Sequence, residues 1–586
     1  MNRIARLAVG LALAVSLPPA FADSARKCSP RGDSVPTSLG ATGWAAVDGP
    51  VTGGCGATPS RTFDVYTRSQ LVDALAKGHS KGGKEHKLDD HSKIIYVHGT
   101  IDLNVDDANV PLHEEDYMRM CNYTAHATFY DPTTGNQNGS GGFFGAYKAA
   151  YDPNLWIRQS LDPADNRPPA LPTVSPSGEP TLEGWRLCFQ RKQAERVMID
   201  VGSNTSIIGV GDARIVNGGL RLGFVSQTDP NDPENYRAEN IVIRNITFAD
   251  AFDMFSSWDP KDSFSITITN TGGCQATFDE ASDFGPHRCP TRRGGRWNTE
   301  YDSISVMNAE GVWIDHNSFT DEPRFDNLPQ FQPLFAAPFN EATQKTAHHD
   351  GHVDITLLAT KVTVSNNHFL RHDKGNLLGG NDVAGFVAGY GPGKIDVTFH
   401  GNYYQNMIQR MPRVRFGRVH VYNNVFDGDR RATAAEYRLG DTWATGTAAK
   451  LVTENNLFDI LNDSNLTVPR IINYASTVAN RDTCVSAGFS AAQCGTYYYD
   501  AGTWVTMRRA NGTNTATTLF DAFAALKTIQ ESSASNQPLV KLDPADPAVF
   551  WFPTQTYSYT LAPVGTAEAR AALRTQVLGN AGAGKL

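Results

Sequence analysis

The chain lacks three features, each of which is typical of a class of protein. After residue 22 no stretch reaches 18 apolar residues, so we expect no membrane-spanning helix and no membrane partner. None of the eight cysteines forms a C-x-x-C pair, which argues against a zinc knuckle. Basic residues are not in excess, since 52 basic and 61 acidic side chains give a formal net charge of −9. We therefore expect no nucleic-acid partner, and an anionic ligand would need a local basic patch or a bound cation.

The first 22 residues are predicted to be a secretory signal peptide. Arg3 and Arg6 precede an apolar stretch at residues 7–17, and Ala20-Phe21-Ala22 matches a cleavage site. We therefore expect a secreted protein, periplasmic or fully extracellular, in which cysteines form disulfides. Pairing of sequence neighbours would give Cys28–Cys55, Cys121–Cys188, Cys274–Cys289 and Cys484–Cys494. The spacing does not prove this connectivity.

Short runs rich in β-branched residues recur from Lys93 onward, and almost no long helical pattern interrupts them. Examples are residues 94–97, 241–243, 362–364 and 419–421, which we predict to be strands. An asparagine followed closely by Phe or Tyr also recurs, as Asn245/Phe248, Asn317/Phe319, Asn367/Phe369, Asn402/Tyr403, Asn424/Phe426 and Asn456/Phe458.

The shortest spacing of this repeat, 22 residues from Asn402 to Asn424, is consistent with one coil of a parallel β-helix. Stacked coils would align the asparagines in a hydrogen-bonded ladder and stack the aromatic rings inside. We therefore predict an all-β solenoid, a parallel β-helix. An antiparallel sandwich is the rival fold, but tight hairpin signals are scarce.

The chain is predicted to divide into four parts. After the signal peptide, residues 23–92 form an N-terminal segment in which Leu71, Ala74 and Leu75 mark a short capping helix. Residues 93–461 form the β-helix catalytic domain, and residues 462–586 form a C-terminal extension that packs on or caps the solenoid. Within the extension we predict a helix around Phe523 and another over residues 567–578. Residues 104–200 and 321–347 fit no coil and are predicted to be long loops that wall a groove or cover the barrel.

Four segments have an unusual density of charged residues in a specific order. They are Glu300-Tyr301-Asp302 ahead of the Val-Trp-Ile-Asp-His run at 312–316, residues 349–354, His372-Asp373-Lys374, and the Arg-x-Pro-Arg-x-Arg run at 410–415. In kind and order these segments resemble those of pectate lyases of polysaccharide lyase family one, and the resemblance runs from about residue 43 to about residue 461. It implies a right-handed parallel β-helix, in agreement with the repeats. It also implies cleavage of α-1,4-linked polygalacturonate by β-elimination, giving 4,5-unsaturated products.

The resemblance also implies a calcium site. Asp302, Asp350 and Asp354 match the calcium ligands of the family, and Glu300 matches a second acidic ligand of some members. Carboxylate oxygens that converge from several elements are what Ca²⁺ prefers. Bound calcium would neutralise the substrate carboxylate next to the C5 proton and so stabilise the intermediate that forms when this proton leaves.

The basic residues carry the remaining roles that the resemblance implies. Arg410 matches the proposed base that removes the C5 proton, and Lys374, Arg413 and Arg415 would hold substrate carboxylates, with Lys374 also counted as catalytic. An arginine can act as a base only where burial and neighbouring positive charge favour its neutral form, so we expect an alkaline pH optimum.

Other polar residues in these segments have weaker links to chemistry. Trp313, Asp315 and His316 would belong to a buried polar network, with Ile314 and His316 facing away from the other two. His348, His349, His352 and His372 cluster near the acidic motif, where a transition-metal site is an alternative to ordinary loop histidines. The stretch 382–392 would lengthen a loop beside the groove.

Three other functions remain open for this sequence. A pectin lyase acting on methyl-esterified polymer would replace part of the calcium site with a basic residue, yet all three aspartates are present. A β-helical hydrolase would use two carboxylates as acid and base, which would leave the arginines without a task. A non-catalytic, carbohydrate-binding β-helix would not keep the charged segments. We expect a monomer.

Overall fold

Three ladders of parallel strands run along the chain, and each strand pairs with the equivalent strand of the next coil. The structure is a computed structural model that describes residues 40–76, 88–125, 128, 141–150, 172–226, 232, 235–259, 264–265, 292–293, 296–326, 347–382, 391, 393–431, 437–462, 466–509, 515–545 and 551–586. The predicted signal peptide, Cys28, Cys274, Cys289 and most of the predicted loops at 321–347 and 382–392 lie outside these residues. No helix among the described residues is long and apolar enough to cross a membrane.

Each ladder is defined by its strands. The first ladder contains Thr62–Val65, Lys93–Asp102, Thr205–Val216, Ala238–Arg244, Ala309–Asp315, Thr360–Ser365, Ile395–His400, Gly417–Tyr422, Lys450–Glu454, Thr496–Ala501 and Leu539–Lys541. The second ladder contains the ends of Lys93–Asp102 and Thr205–Val216, then Thr247–Ala249, Ser318–Thr320, His368–Leu370, Tyr403–Gln405, Val425–Asp429, Leu457–Leu461 and Trp504–Arg508, with Thr515–Leu519 antiparallel to the last. The third ladder contains Met198–Val201, Gly219–Leu222, Ile304–Met307, Val353–Thr356, Leu377–Leu378, Arg413–Val414, Trp443–Thr445 and Ile472–Tyr474. Two short antiparallel pairs, Ser257–Asp259 with Arg296–Asn298 and Phe264–Ser265 with Arg292–Arg293, lie outside the ladders.

One coil passes through the third, first and second ladders in turn. Residues 304–307, 309–315 and 318–320 form such a coil, and the chain returns to the third ladder at residue 353. The side chains that point inward are Val, Ile, Leu and aromatic residues, and they form one continuous buried core along the solenoid. This arrangement confirms the predicted parallel β-helix.

The corner between the first and second ladders depends on residues with a left-handed backbone. Asn366, Gly401, Asn423 and Asn455 occupy it with φ between 50° and 65°. Asparagine and glycine tolerate this conformation better than other residues do, so the corner is encoded locally in each coil.

The residue after each corner points inward and forms the predicted asparagine ladder. The amide of each asparagine donates to the carbonyl oxygen of the next at 3.0–3.2 Å, in the order Asn317, Asn367, Asn402, Asn424 and Asn456. Asn245 is an exception, because it occupies the corner with φ 60° and Ile246 takes the inward position.

The predicted aromatic stack lies beside the asparagine ladder. Neighbouring ring centroids are 4.6–5.4 Å apart along Phe248, Phe319, Phe369, Tyr404, Phe426 and Phe458. The ring that follows Asn402 in the stack is therefore Tyr404. Tyr403, named in the repeat, faces outward and contacts His368 and Asp427.

Eight α-helices are described, along with short 3₁₀ turns at Gly43–Ala46, Pro59–Arg61 and Pro553–Gln555. They are α1 Arg68–Ala76, α2 Glu114–Met120, α3 Gly142–Ala150, α4 Leu182–Val197, α5 Val478–Ser486, α6 Ala491–Cys494, α7 Ala522–Glu531 and α8 Ala567–Asn580. Helix α1 buries Leu71, Ala74 and Leu75 against the first coils, as predicted for the cap. Helix α8 covers the predicted residues 567–578, and its N-cap is Thr566, whose hydroxyl accepts from the Ala569 N–H.

The prediction of loops throughout 104–200 was wrong, because α2, α3 and α4 lie in this stretch. Helix α4 escapes detection because Arg186, Gln190 and Gln193 are among its buried residues, so the inward face is not an apolar stripe. These helices form an aromatic cluster with Phe255 and Trp297, and the disulfide Cys121–Cys188 links α2 to α4 as predicted.

The parallel pairing continues past residue 461, where we had placed the end of the repeats. Strands at 472–474, 496–501, 504–508 and 539–541 extend the three ladders, although they lack the Asn-aromatic repeat. The predicted disulfide Cys484–Cys494 joins α5 to α6 within this region. Cys55 is also disulfide-bonded, and its predicted partner lies outside the described residues.

The last 36 residues run back along the outside of the solenoid toward its first coils. Trp551 stacks on Trp44 with ring centroids 5.5 Å apart, and Arg574 makes two 2.6 Å hydrogen bonds to Asp427. The Gly584 N–H donates to Asn245 Oδ1 at 2.6 Å. Because one segment contacts Asn245 and Asp427, on coils that are 182 residues apart, it fastens these coils together.

We expect Asn402→Ala to destabilise the fold by about 2–4 kcal/mol. Asn402 is fully buried, accepts from the backbone and side chain of Asn367, and donates to Asn424 Oδ1. Its removal leaves several buried polar groups unpaired, at roughly 1–3 kcal/mol each. Denaturant unfolding would measure the loss, with Asn580→Ala at the exposed end of α8 as the control. Equal stability of the two variants would contradict a stabilising role for the asparagine ladder.

Candidate active site

The outer face of the third ladder brings together residues from separate parts of the chain. Ser305 pairs with Asp354 across one step of the ladder, and Leu377 pairs with Arg413 across a later one. Just before these strands, Lys374 bridges Gly351 on one side and Gln409 on the other. Because neighbouring strands lie about 4.8 Å apart, successive coils deliver side chains to a single site.

The acidic half of this site consists of Asp302, Asp350 and Asp354. Asp302 accepts from the Gly351 N–H at 2.8 Å and from the Ser305 hydroxyl at 2.5 Å. Asp354 accepts from the Leu377 N–H at 3.0 Å.

Gly351 lies between two of these carboxylates. A Cβ at this position would come within 2.2 Å of Asp354 Oδ1 and 2.9 Å of Asp302 Oδ1. A glycine is therefore needed for the two carboxylates to approach each other.

The carboxylates repel one another in the absence of a cation. Burial, followed by the negative charges of Asp354 and Asp350, raises the pKa of Asp302 well above its usual value. Burial and the charge of Asp350 raise the pKa of Asp354 to about 7, against the opposing effect of Arg410. The site thus holds more negative charge than its neighbours compensate.

This donor set fits a hard divalent cation. All three side chains offer carboxylate oxygens, which Ca²⁺ prefers, and a bound cation would relieve the repulsion that raises the two pKa values. Glu300, predicted as a fourth ligand, is exposed and makes no hydrogen bond or ion pair with another described residue.

Lys374 joins the acidic half to the basic half. Its ammonium lies 2.7 Å from Asp350 Oδ1 and is largely buried. Burial by itself would lower the pKa of Lys374, but the Asp350 carboxylate outweighs this effect and raises it.

The basic half consists of Arg410, Arg413 and Arg415 on the next coil. Among the described residues, the guanidinium groups of Arg410 and Arg413 have no hydrogen-bond partner, although the Nε of each is buried. Burial and the charges of Arg415 and Arg410 lower the pKa of Arg413 to about 10. Arg415 differs, because it lies 3.2 Å from Asp382 and donates to the Gly379 carbonyl at 3.0 Å. Two guanidinium groups are therefore free to receive an anion.

A buried charge network lies next to the acidic half. His349 contacts Asp250 and Asp326 at 2.9 Å each. Burial alone would lower the pKa of His349, but the carboxylates of Asp321, Asp326 and Asp250 raise it well above its usual value.

The second histidine of this network is His372, which contacts Asp321 at 2.8 Å. Its ring stacks on that of His352 with centroids 3.9 Å apart. The ligand atoms of Asp321, His352 and His372 lie close enough to hold a metal ion, as do those of Asp321, Asp326 and His349. The predicted histidine cluster therefore exists, and two of its members, His349 and His372, are held by carboxylates.

The network around Trp313 and Asp315 lies on the first ladder, away from the third. Asp315 accepts from Arg244 at 2.7 Å and contacts His316 at 2.6 Å. Trp313 packs under the N-terminal segment, and its indole N–H donates to Ser365 at 3.0 Å. The network is buried as predicted, but His316 lies on the side of Asp315 because its φ of 53° breaks the strand alternation.

The helices α2, α3 and α4 flank the acidic half. The Tyr301 hydroxyl, between Glu300 and Asp302, donates to the Gln190 carbonyl of α4 at 2.6 Å. Helix α4 therefore supports the segment that carries the first aspartate.

Sequence reasoning named the charged residues of the site but missed some that shape it. Gly351 stands in the motif between two aspartates, so its spacing was a usable signal. Asp321 and Asp326 were missed because they lie in a stretch predicted to be a loop, far in sequence from the histidines they contact.

Comparison with known proteins identifies the family of this chain. A family model described as pectate lyase matches residues 289–586. A pectate lyase of Bacillus subtilis (strain 168) is 32% identical over 457 residues, covering 78% of this chain and 82% of that protein. Pectate lyase E of Dickeya dadantii (strain 3937) is 31% identical over 271 residues, 46% of this chain and 52% of that protein.

Solved structures give the same result over nearly the whole chain. A pectate lyase from Acidovorax avenae subsp. citrulli is 33% identical with a TM-score of 0.71, covering 98% of this chain and 99% of that one. A pectate lyase bound to a hexasaccharide is 29% identical with a TM-score of 0.61, covering 94% and 100%. The chain belongs to the pectate lyase family and is a polysaccharide lyase.

Proposed function

We propose that this protein is a secreted, calcium-dependent pectate lyase that cleaves α-1,4-linked polygalacturonate by β-elimination, with Arg410 as the base. The observation that carries the proposal is the division of one site into a carboxylate half and a guanidinium half. A polymer with a carboxylate on every sugar needs both, because cations must compensate its charge where the chemistry occurs. The related structure with a bound hexasaccharide supports an oligosaccharide as the ligand of this protein.

Asp302, Asp350 and Asp354 would hold the calcium ion. Bound calcium supplies positive charge that neutralises a substrate carboxylate and makes the neighbouring C5 proton more acidic. Glu300 would contribute through a rearrangement of its exposed side chain.

Lys374 and Arg413 would bind substrate carboxylates and set the register of the polymer. Arg413 is suited to this role because its guanidinium is half-buried and free of hydrogen bonds to described residues. Arg415 would mainly support the groove, since Asp382 and the Gly379 carbonyl already engage it.

Arg410 would remove the C5 proton. The C5–H electrons then form the C4–C5 double bond, the C4–O4 bond breaks, and the departing oxygen takes a proton from solvent. Arg413, Arg415 and Lys374 lie around Arg410 and carry positive charge. A general base must act in its deprotonated form, and this form becomes more abundant as pH rises, which is the basis of the expected alkaline optimum.

The structure favours an acidic polymer over a methyl-esterified one. All three aspartates converge around Gly351, and no basic side chain takes the place of any of them. A hydrolase is disfavoured because that reaction leaves the free guanidinium groups without a role.

Export is proposed from the N-terminal sequence and is supported by the disulfides. Two disulfides join described segments, Cys121–Cys188 and Cys484–Cys494. Disulfides of this kind persist in oxidising compartments.

We expect Arg410→Ala to lower kcat on polygalacturonate by about 10²–10⁴-fold, which is the usual contribution of a general base. Product formation would be followed by the ultraviolet absorbance of the unsaturated uronate, with calcium and then with a chelator. Arg508→Ala is the control, because Arg508 is a partly exposed residue of the second ladder paired with Asp459.

Two results would count against this mechanism. Undiminished absorbance growth in Arg410→Ala would remove Arg410 from the chemistry. New reducing ends without absorbance, in wild type, would indicate hydrolysis.

We expect Gly351→Ala to weaken calcium binding by about tenfold or more, the size of effect seen when the surroundings of a metal site are disturbed. The new methyl group would displace Asp354 and Asp302 from each other. Isothermal titration of the chelator-treated protein with calcium would measure the change. Gly579→Ala in α8 meets no atom within 4 Å and serves as the control. Equal calcium affinity in both variants would place the cation elsewhere.

We expect calcium affinity to fall by at least about tenfold per pH unit below pH 7. Asp354, with its pKa of about 7, must lose its proton before it can bind the ion. The same raised pKa makes the folded, cation-free protein bind a proton that the unfolded chain releases. This contribution to stability is therefore lost as pH rises from about 4 to 7. Calorimetric titrations between pH 5.5 and 8 would show the trend, and a pH-independent affinity would contradict it.

A further inference from the structure

Two side chains from the next coil hold Asp350 by different groups. Lys374 binds its carboxylate at 2.7 Å, while His372 Nε2 donates to its backbone carbonyl at 2.6 Å. Only the Lys374 contact is made to the carboxylate that is proposed to bind calcium. The second fixes the main chain from which that ligand projects.

The other nitrogen of His372 faces a buried carboxylate. Nδ1 lies 2.8 Å and 2.9 Å from the two oxygens of Asp321. The side chains of His372 and Asp321 are 1% and 2% exposed. A carbonyl and a carboxylate both accept hydrogen bonds, so the geometry assigns a proton to each ring nitrogen. His372 and Asp321 therefore form a buried ion pair whose remaining donor is used on Asp350.

This ion pair belongs to a network that balances its own charge. His349, the residue before Asp350, bridges Asp250 and Asp326, and Arg324 binds Asp250 at 2.8 Å. The positive members are therefore His349, His372 and Arg324, and the negative members are Asp250, Asp321 and Asp326. Because a buried charge is costly unless paired, the network is held in one arrangement, and it fixes the loop at 348–350.

The same histidine is tied to the coil that carries the proposed base. The Ile408 N–H donates to the His372 carbonyl at 3.0 Å, and the Gln409 N–H donates to the Asp373 carbonyl at 2.9 Å. Arg410 follows directly. His372 therefore contacts the main chain of Asp350 on one side and the approach to Arg410 on the other.

We propose that His372 and Asp321 act as a positioning pair that sets the orientation of Asp350 for binding a divalent cation. The inference rests on the proposed calcium site. Metal sites depend on neighbours that fix the direction of each ligand, and changes to such neighbours commonly cost 10–100-fold in metal affinity. Both side chains are buried, so neither would touch substrate or the reacting atoms.

A transition metal held by Asp321, His352 and His372 is the competing explanation of this cluster. The buried Nε2 of His352 has no hydrogen-bond partner, which would suit a metal ligand. His372, however, has both nitrogens engaged by acceptors, so it offers no lone pair. The ion pair accounts for its geometry without a metal.

The test is calcium titration calorimetry on the full chain, using wild type, His372→Gln, Asp321→Asn and the double variant. We expect each single variant to bind calcium at least tenfold more weakly, with kcat at saturating calcium largely retained. The double variant should bind no more weakly than the weaker single variant, because both substitutions break one interaction. His368→Gln is the matched control, since His368 lies on the same coil and contacts Gln405 on the outer face of the second ladder.

The outcomes separate the two proposals. If wild type binds no calcium, the proposed calcium site and the positioning pair both fail. If wild type binds calcium and both single variants match His368→Gln, the positioning pair is overturned and the lyase proposal stands. A lower melting temperature with unchanged calcium affinity has the same meaning. Stoichiometric zinc or another transition metal in wild type, lost in His372→Gln, would also overturn it. If His372→Gln does not fold, Asp321→Asn and Asp321→Glu decide, with affinity expected to recover in the glutamate variant.

Discussion

The backbone pairing between successive coils is the constraint on which the rest of this molecule depends. Each coil adds about 4.8 Å along the axis, whatever the length of the loop that returns it to the third ladder. Asp302 and Asp354, which are 52 positions apart in sequence, thereby become neighbours. The buried asparagines and stacked rings maintain this spacing from inside, and the C-terminal segment maintains it from outside. The spacing of the strands in the ladder therefore sets the distances between the residues of the candidate site.

Many charged residues lie on and next to the outer face of the third ladder, and their charges are compensated in two different ways. In the buried network around His349 and His372, each charge has a fixed partner inside the protein, so the network is complete without a ligand. Among the acidic and basic halves of the site, Asp302 keeps a raised pKa and Arg410 keeps no hydrogen-bond partner among the described residues. The described residues do not compensate these groups, which is what the proposed calcium site and the proposed binding of an anionic polymer require. The difference separates charges that serve structure from charges that are proposed to serve binding.

The repeat allowed much of the fold to be predicted, because corner and ladder residues follow from local chemistry. An asparagine at a left-handed corner and an asparagine in the ladder look the same in sequence, so Asn245 was assigned to the wrong position. Helix α4 was missed because it buries Arg186 and two glutamines, which conceals its inward face. Strands beyond residue 461 were missed because coils such as 496–501 and 504–508 pair without the repeat. Pattern recognition failed where polar burial or irregular coils replaced the repeat.

The residues of the candidate site also fall into two groups: those that a local sequence motif identifies and those that become neighbours only in the folded chain. Motif spacing was enough to name Asp302, Asp350, Asp354 and the arginines, because each lies near a strand of the third ladder. It was not enough to name Asp321, which meets His372 only because the second ladder places their coils side by side. A side chain that binds a cation must carry a suitable oxygen atom, and a short sequence motif is enough to specify that residue type. The direction in which the side chain points depends on its neighbours in the adjacent coil. The geometry of the site is therefore set by the stacked coils and not by any single motif.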